Sequence, residues 1–207
     1  MHLLQRVLLA TGSLLLGQTT TAQRLSPAPE LRAFSEGRIR HQKTLGITLG
    51  SYALANIAVG AIGASQTSGE AGYFHKMNVY WNLVNLGLAG AGLLGSRRKT
   101  TEPETLADAV RQHEKMKQIL LLNTGLDVAY VMGGAYLRER AEPELVNSHP
   151  DKADQLRGYG KSIMLQGGFL FAFDLVNYFI FKKRGDQQER LLLTTGPYGV
   201  GLSVPIR

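Results

Sequence analysis

Nearly uncharged, mostly apolar stretches alternate with densely charged ones along this chain. Four of them stand out: Thr44–Gln66, Asn78–Ser96, Gln118–Leu137 and Ser162–Phe181. Each is about 20 residues long, the length that takes an α-helix across the hydrocarbon core of a bilayer. All four are rich in Gly and Ala, with VGAIGA in the first and LGLAGAGLLG in the second. Glycine at this density weakens an isolated helix by up to about 1 kcal/mol per residue. Between membrane helices, small residues instead let backbones approach, and Gly46 with Gly50 and Gly60 with Ala64 have the required four-residue spacing. The pattern predicts an all-α fold, a four-helix transmembrane bundle over residues 44–184. A soluble four-helix bundle is the rival, but it would need a polar stripe along every helix, and these segments carry few strongly polar positions.

The flanks complete the expected organisation. Residues 1–22 read as a signal peptide: Arg6 precedes an apolar run from Val7 to Leu16, and Thr20-Thr21-Ala22 supplies small residues before a cut at Gln23. An uncleaved anchor is the alternative, although the apolar run is short for a span. Residues 23–43 are expected to form a polar or interfacial helix after Ser26-Pro-Ala-Pro29. Thr101-Glu-Pro-Glu104 has the spacing of a capping box, which puts the start of the third helix near residue 102. Arg138 to Lys161 reads as a long charged connection, with Asn147-Ser-His-Pro-Asp151 marking entry to the fourth helix. Residues 185–207 are expected to be an extended tail, because Tyr198, Val200, Leu202, Val204 and Ile206 alternate with small residues and Pro205.

The chain also resembles itself. Asn82-Leu-Val-Asn85-Leu in the second span matches Asp174-Leu-Val-Asn177-Tyr in the fourth, and a basic cluster follows each. In the odd spans, Asn56 and Gly63-Ala64 can be laid on Asp127 and Gly134-Ala135. This predicts two similar helical hairpins related by an axis along the membrane normal.

The matched positions are the polar ones. Asn56, Asn82, Asn85, Asp127, Asp174 and Asn177 form the candidate polar core, with helical spacing that turns each set to one face. A carboxylate at bilayer depth costs about 2.5–3.5 kcal/mol even on permissive insertion scales, so these faces must point inward. Two roles are open there. Asp127 and Asp174 either bind a proton or cation with the amides as ligands, or they hydrogen-bond Asn56, Asn82 or Asn85 and fix helix register. His75, just before the second span, is a weaker candidate for chemistry in company with Asn78 and Asn82. His113, in the charged start of the third helix, falls at the opposite end, which argues against a shared metal site.

Composition removes several function classes. The absence of cysteine excludes disulfides, thiolate metal sites and thiol catalysis. There is no HExxH, GxSxG or phosphate-binding loop, so no cofactor and no enzyme activity is expected. The formal charge is +7, but the Lys and Arg residues cluster beside apolar runs, which fits membrane topology better than nucleic-acid binding. The side holding residues 24–43, 96–117 and 182–190 carries more than twice the Lys and Arg of the other, which places it in the cytoplasm. A cleaved leader would place the N-terminus outside, so with four spans these two expectations conflict.

SYALANIAVGAIGASQTSGEAGYFHKMNVYWNLVNLGLAGAGLLG, and above all Thr67 to Asn85 within it, resembles a family of uncharacterised four-helix integral membrane proteins of Gram-negative bacteria. The resemblance implies a multi-pass protein of the bacterial cell membrane, inner rather than outer, and no catalytic residues. The expected partners are the lipid bilayer and a membrane protein or a second copy. The leading functional expectation is a non-catalytic structural or interaction component. The alternative is a small proton- or cation-coupled transporter or channel using Asp127 and Asp174.

Overall fold

The computed structural model describes residues 29–98, 104–141 and 143–194. Among them are five helices: α1 Pro29–Gln66, α2 Gly69–Arg98, α3 Leu106–Glu139, α4 Pro143–Ser148 and α5 Pro150–Thr194. Helices α1, α3 and α5 are long and apolar enough to cross a membrane, by length and composition. The fourth expected span, α2, falls outside that set, because Asn78, Asn82 and Asn85 interrupt its apolar run. The leader expected at residues 1–22, the cap expected at Thr101 and the chain beyond Thr194 lie outside the described residues.

Several boundaries differ from the hydropathy reading, for one reason. Loss of hydrophobicity marks the end of an apolar segment, not the end of a helix. The polar helix expected before the first span and the span itself are one unbroken helix of 38 residues. The connection expected over Arg138–Lys161 is mostly helical, since α5 starts at Pro150, within the Asn147–Asp151 stretch expected to open it and where a proline is tolerated in the first turn. The tail expected to be extended from residue 185 remains helical through Thr194. Helix α3 is capped by Thr105, whose hydroxyl accepts from the Asp108 backbone N–H at 3.2 Å.

Helices α1 and α2 form one close hairpin and α3 and α5 another, and α2 packs on α5 to join them. The first hairpin turns in two residues, Thr67 and Ser68. Gly69 makes this possible with a left-handed φ of 58°. In each hairpin a glycine from the laid-over pair sits at the helix crossing. A Cβ on Gly63 would meet the His75 ring at 2.5 Å, and one on Gly134 would meet the Gly160 carbonyl at 2.6 Å. At 38, 34 and 45 residues, α1, α3 and α5 run about 57, 51 and 68 Å at 1.5 Å per residue. That exceeds the roughly 30 Å of a hydrocarbon core. Their excess gathers at one end, where the start of α1, the start of α3 and the end of α5 meet in a three-helix stalk.

The outward faces are apolar. Ile47, Leu54, Val59, Leu83, Val84, Leu88, Leu122, Met132, Val176 and Phe179 are among the large side chains left exposed, while the buried side chains include four asparagines, two aspartates and two histidine-facing phenylalanines. This is the inverse of a water-soluble bundle, in which large contiguous apolar patches are rare.

Candidate functional site

Polar side chains line the interior in three groups along the length. The first is a ladder of amides. Tyr52 donates its hydroxyl proton to Gln166 Oε1 at 3.0 Å, and Gln166 Nε2 donates to Asn78 Oδ1. Asn78 Nδ2 donates to the Asn56 carbonyl, and Asn82 Nδ2 donates to Asn78 O and Oδ1 at 2.8 and 3.2 Å. Asn85 Nδ2 reaches Asn82 Oδ1 at 3.4 Å, and Asn56 Nδ2 bonds back to Tyr52 O. The amides therefore satisfy one another and the backbone. None of these bonds goes to an aspartate, so the expected pairing of Asp127 or Asp174 with Asn56, Asn82 or Asn85 does not occur.

The second group surrounds a cavity of about 350 Å³ lined by all four long helices. Leu49 comes from α1 and Trp81, Val84, Asn85 and Leu88 from α2. Asn123, Leu126, Asp127 and Tyr130 come from α3, and Leu170, Phe173 and Asp174 from α5. The helical spacing that gathers them is simple: Asn123, Asp127 and Tyr130 share one face of α3 at i, i+4 and i+7. Asn123 lies beside Asp174 in the cavity wall. Asp127 is 2% exposed and its Oδ2 has no hydrogen-bond partner. No Lys or Arg is among the lining residues, so the cavity presents two carboxyls, two amides and otherwise apolar walls. Val84, Leu88 and Leu126 also reach the outer surface, so the cavity opens between α2 and α3.

The third group occupies the stalk. Arg38 has no exposed surface; its guanidinium donates to both Glu104 carboxylate oxygens at 2.8 and 2.7 Å and to Gln112 Oε1 at 3.0 Å. His113, also without exposed surface, lies between the rings of Phe34 and Phe181 at 5.4 and 5.6 Å. Burial pushes its imidazole down to about 4. Burial, followed by the charges of Arg38 and Arg40, also lowers the Arg184 guanidinium. Asn177 belongs with this end: it accepts from His41 Nε2 at 2.9 Å rather than facing the cavity.

The six expected core residues are thus divided: Asn56 and Asn82 in the ladder, Asp127 and Asp174 in the cavity, Asn85 at the junction, Asn177 toward the stalk. His75 packs on Gly63 at the far crossing, with Asn78 one turn away but bonded elsewhere. Sequence reasoning missed Arg38, His41, Glu104 and Gln112. The signal was present, because Leu31, Phe34, Ser35 and Arg38 recur at helical spacing and are all buried.

The fold and the cavity define a helical protein with an apolar exterior and a polar interior. The chain belongs to DUF6992, a family of unknown function whose model matches residues 48–175. That span holds the ladder and the cavity and leaves out Arg38, His41 and Asn177. No curated protein and no solved structure matches the chain.

Proposed function

We propose that this is a four-span integral membrane protein in which Asp127 and Asp174 take up and release a proton or small cation, as the coupling or substrate site of a small carrier. The observation that carries the reading is the unpartnered, buried Oδ2 of Asp127, set in a cavity that also receives Asp174 and has no basic residue in its wall. Ionisable groups at such depth are costly, and where they occur they mark ion or proton pathways by default. Helix α2 is the fourth span on this reading: it lies between α1 and α5, its asparagines face inward, and Tyr80, Leu83, Val84, Leu88 and Leu94 face out. The two hairpins are read as copies, which the matching glycine crossings support. The bundle is placed in the bacterial inner membrane, consistent with its helical, apolar exterior, and no catalysis is assigned to it.

From sequence alone a structural component leads. The cavity moves the weight to cation handling, while the ladder keeps a structural role because its amides are already mutually satisfied. The test is reconstitution into liposomes with a trapped pH indicator. Under an imposed membrane potential the wild type moves protons or cations above the rate of empty vesicles, and Asp127→Asn and Asp174→Asn lose that excess. A wild-type rate equal to that of empty vesicles overturns the carrier reading in favour of the structural one.

A further inference from the structure

The walls of the cavity bear on which cation it takes. Three aromatic rings line it, Trp81, Tyr130 and Phe173. Trp81 and Tyr130 meet edge to face, with centroids 4.7 Å apart. The helices carrying them, α2 and α3, make no close backbone approach among the described residues. The two rings therefore bridge a gap that the backbones leave open. A metal ion is poorly served here. Calcium takes six to eight oxygen ligands and magnesium a near-ideal octahedron, and the described residues contain no group of three or more His, Asp or Glu placed to hold a metal.

An organic ammonium ion has different needs. It spreads its charge over N–H or C–H groups, lies favourably on aromatic faces within about 6 Å of a ring centroid, and requires a counter-charge rather than a full coordination shell. The volume of about 350 Å³ lies near the lower end of small-molecule sites, which suits a cation of several heavy atoms rather than a bare ion. We propose, building on the cation site above, that the cavity binds a small organic ammonium ion. Asp127 is the counter-charge, Asp174 beside Asn123 is its neighbour, and Trp81, Tyr130 and Phe173 form the cage.

Trp81 is the chain's single tryptophan, so its fluorescence reports directly on the cavity. The full chain in detergent or nanodiscs is titrated with tetramethylammonium chloride, propylammonium chloride and sodium chloride at constant ionic strength. The expected result is a saturable change in Trp81 emission with one or both ammonium salts and none with sodium. Asp127→Asn weakens that binding by roughly tenfold or more through loss of the counter-charge, and Phe173→Leu weakens tetramethylammonium several-fold. Each variant is compared at an unfolding temperature matched to the wild type. An equal saturable response to sodium overturns the ammonium assignment and leaves the cation site standing, as does proton flux in liposomes with no ammonium response. No response to any of the three salts, together with no flux, overturns both.

Discussion

Arg38 and Glu104 lie 66 positions apart in sequence and meet in a forked ion pair at 2.8 and 2.7 Å, with Arg38 wholly buried. The pair ties the start of α1 to the residue just before the α3 cap. Removing one partner strands a buried charge, which costs more than the intact pair contributes. Glu104→Ala is expected to lower stability by about 3 kcal/mol, read by denaturant or thermal unfolding in detergent. Adding Arg38→Met should recover part of that loss, and an additive double mutant would contradict the direct pairing.

His113 gives the stalk a pH dependence. Its folded pKa is depressed to about 4 from an ordinary 6.5, so the folded stalk holds it neutral while the unfolded chain binds a proton. Its contribution is fully present above pH 6.5 and is lost as pH falls toward 4. Nearby Glu114 opposes the shift, and Lys117, Arg184 and Arg38 reinforce it. The expected outcome is that the difference in unfolding temperature between wild type and His113→Phe changes between pH 7 and 4.5. A difference that stays flat across that window excludes a buried neutral imidazole.

The α3–α5 crossing distinguishes two adjacent glycines. A Cβ on Gly134 would lie 2.6 Å from both the Gly160 carbonyl and Met164 Cγ, whereas one on Gly133 meets nothing within 4 Å. Gly134→Ala is expected to cost about 1–3 kcal/mol by overpacking. Gly133→Ala should be neutral or stabilising by up to about 1 kcal/mol through helix propensity. Equal effects at the two sites would mean that this crossing is not formed.

Whether α2 spans the membrane is open to direct labelling, because the chain has no cysteine of its own. Ser68 and Lys115, both exposed, flank α2 and the link that follows it. In Ser68→Cys and Lys115→Cys, an impermeant maleimide is expected to reach the two positions from opposite sides of sealed vesicles. Labelling from the same side would leave α2 lying on one face.

Much of the architecture was legible because long, nearly uncharged runs mark the four long helices α1, α2, α3 and α5. The start of α5 was legible from Asn147–Asp151, which holds its first residue, Pro150, but its end was not, since the stretch after Arg184 is charged and yet helical: nothing in hydropathy separates a projecting helix from a loop. The inward polar positions could be found by spacing, but their grouping could not. Asn82 and Asp174 match in sequence, but one bonds within the amide ladder and the other faces the cavity with Asn123. The packing of α2 on α5 and the gap between α2 and α3 decide that, and both are long-range relationships. The joining of three helix ends in the stalk was hidden for a related reason, as Arg38 and Glu104 look like ordinary surface charges until those ends converge on them.

The two-residue link at Thr67–Ser68 keeps the first hairpin tight, and its polar groups need little from the rest of the chain. Asn56, Asn78, Asn82 and Asn85 all donate to acceptors within α1 and α2. The hairpin thus holds acceptors for all four of these side-chain amides within itself. Helix α5 adds Gln166, which accepts from the Tyr52 hydroxyl, and lays Phe169 flat on the Tyr52 ring, with centroids 3.5 Å apart. The first hairpin is therefore the more self-contained of the two, and the carboxylate-bearing second one adds Gln166 to its amide network.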